Sequence, residues 1–124
     1  MAHTILLVDD EFSFLEALAL LFTQEGYEVK TASDGSEALI RLSEKVPDLV
    51  ITDFWMSRMN GLELCQRMQE DENWRSIPVL LMTAVHEADL PRGPGMVGVI
   101  AKPLVFDVLL DLVKQVLAAR EPSR

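Results

Sequence analysis

The sequence predicts a doubly wound α/β domain, a five-stranded parallel sheet with helices on both faces. Two observations carry that prediction. Five short apolar runs, at 4–9, 28–32, 48–52, 77–83 and 96–101, recur along 124 residues, with segments of helical spacing between them. The runs are near-continuous in Val, Ile and Leu instead of alternating, the pattern of strands covered on both faces. Strand alternating with helix calls for parallel pairing, and each crossover should then be right-handed.

"TILLVD" opens the order, followed by a helical stripe of Leu15, Leu18, Leu21 and Phe22, with Gly26 placed as a C-terminal stop. "EVKTA" is more polar, as suits an edge strand. Asp34 stands as N-cap of a second helix, with Glu37 in its first turn, Ala38, Leu39 and Leu42 continuing it, and Pro47 beyond its end. After "DLVIT", Asn60-Gly61 begins a third helix through Leu64, Cys65 and Met68. The pattern breaks after "IPVLLMT". The stretch "HEADLPRGPGMVG" (86–98) holds two prolines and three glycines, and Pro91 and Pro94 forbid a continuous helix. The fourth helical segment is therefore expected to be short or disrupted, a turn near 85–90 and then a loop. "MVGVIA" follows, then a last helix with Val105, Leu109, Leu112, Val113 and Val116 on one face. Residues 119–124 are expected to fray, and 1–124 reads as a single domain.

With 49% hydrophobic and 25% charged residues, the chain has the makeup of a globular domain with one core. No apolar run approaches the roughly 20 residues that a membrane span requires. The opening "MAHTILLVDDE" lacks the basic region, apolar stretch and cleavage site of a signal peptide. Cys65 is the single cysteine, which rules out an internal disulfide and is compatible with a reducing compartment. A cytoplasmic location is expected. A net charge of −9 with scattered Lys and Arg disfavours direct nucleic-acid binding. It suits a cation, a basic partner surface, or plain solubility.

In a parallel α/β sheet, ligands bind beyond the carboxyl ends of the strands. Asp9 and Asp10 end the first run, Asp53 the third, Thr83 the fourth and Lys102 the fifth, so all five should meet at one edge. Three crowded carboxylates repel and raise one another's pKa unless a cation neutralises them. An all-oxygen donor set suits Mg²⁺ better than Zn²⁺. With an ammonium and a hydroxyl beside them, the acids form a site for a phosphoryl group. A carboxylate there can attack phosphorus and give an acyl phosphate. The plainer alternative has each acid merely capping a strand or helix.

"LLVDDE", "ITDFWMSRMNGLEL", "IPVLLMTA" and "AKP" stand in an order that resembles the response-regulator receiver family of two-component signalling, over essentially the whole chain and in single-domain form. The resemblance implies a flavodoxin-like sheet of order 2-1-3-4-5. It implies Asp53 as phosphoacceptor for a histidine of a partner kinase or phosphotransfer protein. Asp10, Asp53 and the backbone carbonyl of Trp55 would bind Mg²⁺ (or Mn²⁺) directly, and Asp9 mainly through water. Lys102 would pair with Asp53 and then with phosphoryl oxygens, while Thr83 would swing its hydroxyl onto the phosphoryl group. The Lys102–Pro103 bond would be cis. Catalysis would be confined to transfer onto, and loss from, Asp53, so an enzyme in the usual sense is not expected. The downstream partner is unspecified, and a monomer or weak dimer is expected.

Several positions depart from the family. Val99 stands where an aromatic switch residue is common, three before Lys102, and valine has no ring to rotate inward. The Thr83-to-Lys102 interval is short, so the usual output face should be remodelled. Ser57 replaces the proline that usually follows Met56, leaving that loop less restrained. Trp55 and Val85 flank the path of the attacking water in this family, which implies slow loss of the phosphoryl group. Trp55 packed simply on the third helix is the alternative.

Other signals are weaker. "GPGMVG" (93–98) matches a dinucleotide pattern but precedes a strand instead of opening a helix. His3 and His86 have no second ligand at metal spacing, and Cys65 and Trp74 read as packing residues. Of Phe12 and Phe14, one is expected in the core and the other exposed for docking a kinase or phosphotransfer helix. Two rival functions remain. A phosphorylation-independent interaction module would fit Val99 and the altered fourth segment. A metal-dependent phosphatase would want a second acid where Trp55 stands.

Overall fold

The computed structural model describes residues 2–56, 58–84, 93 and 95–120. The described elements run β1 (Thr4–Val8), α1 (Phe12–Gln24), β2 (Glu28–Ala32), α2 (Gly35–Glu44), β3 (Leu49–Asp53), α3 (Gly61–Gln69), β4 (Val79–Thr83), β5 (Met96–Ala101) and α4 (Phe106–Arg120). The sheet is parallel throughout, in the order β2-β1-β3-β4-β5. The expected topology is thus observed. β1, β3 and β4 are fully buried, and β2 lies at an edge with only Ala32 buried.

Two apolar layers cover the sheet. Leu15, Leu18 and Phe22 of α1 join Leu109, Leu110, Val113 and Leu117 of α4 over one face. Ala38 and Leu42 of α2 join Leu64, Cys65 and Met68 of α3 over the other. Trp74 packs at the margin of this second layer, near Ile77 at the approach to β4.

Local signals set the helix ends. At the close of α1, Gly26 has φ +96 and donates to Thr23 O, while Tyr27 donates to Phe22 O. This is a Schellman ending, and Phe22 and Tyr27 seal it edge-to-face. Asp34 accepts from the Glu37 amide, and the Glu37 carboxylate accepts from Ser33 N. Asn60 and Glu63 form a reciprocal capping box on α3.

The structure corrects three readings. Leu21 is 38% exposed and Val105 62% exposed, so neither belongs to its expected buried face. In α4 the burial falls instead on Leu109, Leu110, Val113 and Leu117. Residues 119 and 120 are helical instead of frayed, and the Arg120 guanidinium donates to the Asp48 carbonyl oxygen. Asp53 is the last residue of β3, as its strand-end placement predicts. The short or disrupted fourth helical segment, Val85, His86, Ser57 and residues 121–124 lie outside the described residues. Among the described residues, no helix is long and apolar enough to cross a membrane.

Candidate functional site

Each chemical group sits at the carboxyl end of a strand, where ladder hydrogen bonds continue past the strand and fix the backbone. Asp9 N donates to Ala32 O, Phe54 N to Met82 O, and Lys102 N to Thr83 O. Side chains from β1, β3, β4 and β5 are thereby carried to one edge of the sheet. Asp9, Asp10 and Asp53 offer carboxylate oxygens that all lie within 4.8 Å of one another. Asp9 and Asp53 are buried, and Asp10 is exposed.

Lys102 Nζ is 2.8 Å from Asp9 Oδ2 and 3.3 Å from Asp53 Oδ1. The expected Lys102–Asp53 pair exists, yet Asp9 is the closer partner. The second oxygen of Asp9 accepts from Glu11 N at 2.9 Å. Both Asp9 oxygens are therefore occupied within the fold, which suits a carboxylate acting on a cation from a distance.

Burial, and next the charge of Asp9, push the Asp53 carboxyl up to about 6; Lys102 pulls it down and Asp10 adds a smaller upward push. Burial opposes the Lys102 ammonium, but Asp9 and Asp53 outweigh it and hold the pKa above the ordinary lysine value. Two half-neutralised acids beside a third are short of positive charge. Three carboxylates with one side open to solvent fit a hard, oxygen-seeking divalent cation, and are compatible with Mg²⁺.

The other expected residues take varied places. Thr83 is fully buried at the end of β4. The Lys102–Pro103 peptide is cis. Val99 is half-buried in β5, opposite Leu81. Trp55 is 57% exposed and packs edge-to-face on Phe54, with ring centroids 4.6 Å apart. Phe12 is 70% exposed, and Phe14 is half-buried against the core layer instead of lying within it. Burial pushes the Cys65 thiol up to about 11, which leaves it a packing group.

Sequence reasoning missed three features. Phe14, in the first turn of α1, places its ring under the Lys102 ammonium, 4.6 Å from nitrogen to centroid. No local spacing signals this contact, because Phe14 and Lys102 meet only through the tertiary fold. The loop after Asp53 is tied to the start of α2: Arg58, at φ 70, reaches to 3.8 Å from Asp34, and Met59 fills the space beside Gly35. Gly61 is held tightly, because a Cβ there would lie 2.8 Å from the Asp53 carbonyl oxygen and 2.9 Å from Leu81. Gly61→Ala is expected to lower stability by about 2 kcal/mol, read as a shift of the denaturation midpoint. It should also weaken cation binding, because relief of the clash moves the Asp53 backbone.

A doubly wound sheet with an acid cluster, a threonine and a lysine at its carboxyl edge defines an α/β domain whose charged groups converge where parallel sheets bind ligands. The chain belongs to the response regulator receiver domain family, whose sequence profile matches residues 5–114. Receiver domains are the phosphoaccepting modules of two-component systems.

Sporulation initiation phosphotransferase F of Bacillus subtilis (strain 168) is 36% identical over 121 residues, covering 94% of this chain and 95% of that protein. Phosphate regulon transcriptional regulatory protein PhoB of Rhizobium meliloti (strain 1021) is 34% identical over 126 residues; the match takes in 99% of this chain and 56% of PhoB. The chain thus spans little more than half the length of that second relative. Among solved structures, the signal receiver domain of a signal transduction histidine kinase from Syntrophus aciditrophicus superposes with a TM-score of 0.87 at 30% identity, covering 99% of this chain and 96% of that one. Chemotaxis response regulator CheY4 of Vibrio cholerae gives 0.87 at 28% identity, with coverage of 94% and 99%.

Proposed function

We infer that this chain accepts a phosphoryl group on Asp53 from a histidine of a kinase or phosphotransfer protein, and so switches or relays a signal. The observation that carries this reading is the meeting of three carboxylates within 4.8 Å beside the Lys102 ammonium. An Asp53 carboxylate oxygen attacks phosphorus, the phosphorus–nitrogen bond of the donor breaks, and its electron pair stays on the imidazole, which takes up a proton. Asp10, Asp53 and the Trp55 carbonyl would hold Mg²⁺ or Mn²⁺, with Asp9 acting through water. Bound there, the cation supplies charge neutralisation for the incoming phosphoryl oxygens. Lys102 supplies the second positive charge, and Thr83 the hydroxyl that closes on the phosphoryl group.

The test is chemical. Incubation with Mg²⁺ and a small phosphodonor should give an acid-stable, hydroxylamine-labile adduct that Asp53→Asn abolishes. Absence of an adduct from both a small donor and a cognate kinase would sink this reading in favour of a phosphorylation-independent interaction module.

Lifetime is a separate matter. Trp55 lies two residues past the acceptor, and its indole borders solvent while leaning on Phe54. An apolar surface there hinders the placing of an attacking water, whereas an amide can orient one. Trp55→Asn is expected to speed acyl-phosphate decay by at least about threefold. Decay followed in Mg²⁺ after donor removal measures it, and an unchanged half-life would exclude a role for the indole.

A further inference from the structure

Lys102 carries its charge on a flexible four-carbon stem, and such an ammonium is mobile and strongly hydrated unless neighbours hold it. Its neighbours here are of two kinds. Asp9 Oδ2 and Asp53 Oδ1 lie 2.8 and 3.3 Å from Nζ. The ring of Phe14 lies 4.6 Å from the same nitrogen, measured to the centroid. Phe14 is itself half-buried and packs against the core layer shared by α1 and α4, so its ring is supported from behind. Only 20% of the lysine side chain remains exposed.

The negative face of an aromatic ring attracts an ammonium and replaces part of its water shell. It does so without the fixed direction of a hydrogen-bond acceptor. This difference matters because Asp9 is the closer of the two acids. An ammonium held by carboxylates alone would settle on Asp9, away from the acceptor. A ring beneath it keeps the charge inside the site while letting it slide from Asp9 toward Asp53. A leucine in the same place would fill the space and attract nothing.

We propose that Phe14 is a positioning residue for Lys102, its ring holding the ammonium at the gap between Asp9 and Asp53 where phosphoryl oxygens will arrive. The inference rests on the reading that Asp53 accepts a phosphoryl group.

Fluorination of the ring provides the test, since it withdraws the negative face while size and packing hardly change. Phe14 is replaced in the full chain by its 4-fluoro, 3,5-difluoro and 3,4,5-trifluoro analogues, and uptake from acetyl phosphate with Mg²⁺ is timed. The rate should fall stepwise, to about fivefold below wild type for the trifluoro ring and for Phe14→Leu. Phe14→Tyr should restore it, and the thermal midpoints of the fluorinated proteins should not move. A flat rate across the fluorinated series, with wild type active, overturns the proposal. If wild type itself takes up no phosphoryl group, the receiver reading has failed and the inference falls with it. Should Phe14→Leu fail to fold, the fluorinated series alone decides.

Discussion

In chelator at neutral pH, Asp53→Asn is expected to melt above wild type and to take up no phosphoryl group at all. The two effects share one origin. The Asp53 carboxyl is pushed up to about 6 because a buried acid facing Asp9 resists ionising. In the unfolded chain it ionises near its ordinary value of 3.8. Between those values the folded protein keeps a proton that the unfolded chain has lost, so wild-type stability falls as pH rises through the interval. Above about pH 6 the loss is complete.

An asparagine never ionises, so the variant's advantage should be absent below pH 3.8, grow across the interval and level off above it. Exposed Asp10 lets solvent screen the site, so the gain is about 1–2 kcal/mol, or roughly 3–8 °C. Mg²⁺ should reverse the order by stabilising the wild type far more than the variant. Paired melting curves at pH 4.5 and 7.5, with and without Mg²⁺, check each part. A variant less stable than wild type at pH 7.5 in chelator would show that the acid cluster is not strained.

How legible this site was depends on how local its causes are. The Gly26 ending, the Asp34 and Asn60 caps and the strand-end positions of Asp9, Asp53, Thr83 and Lys102 were all readable, because each follows from neighbours in sequence. Leu21 and Val105 were misplaced because periodicity marks a stripe but not its width. Leu21 lies at the margin of the face that α1 turns to the sheet, and Val105 precedes the first turn of α4. The preference of Lys102 for Asp9 was invisible for another reason. The two residues are 93 apart, and a few tenths of an ångström at two strand ends decide which acid the ammonium meets first. Phe14 under Lys102 depends on that same geometry. Convergence on an edge is thus written in topology, whereas pairing within the edge is written only in three dimensions.

That pairing makes Lys102→Met a demanding variant. It removes the ammonium that pairs with Asp9, which is 1% exposed, and leaves a buried carboxylate without that charge partner. Stranding a buried charge costs about 3 kcal/mol, so the variant should be clearly destabilised in chelator at neutral pH. Phosphoryl uptake should fall by about two orders of magnitude, the loss typical of one preorganised charge at a reacting centre. The two losses have different causes and should separate. Adding Asp9→Asn to Lys102→Met removes the stranded charge, so the double variant should regain most of the stability while uptake stays low. Mg²⁺ should likewise restore part of the stability of Lys102→Met by supplying positive charge near Asp9. Denaturant titrations of the four proteins in this cycle, beside their uptake rates, give the coupling. If Asp9→Asn does not rescue stability, Lys102 supports the fold through its stem and not through its charge. If the double variant regains uptake, the ammonium serves only to neutralise Asp9, and its place in phosphoryl transfer is refuted.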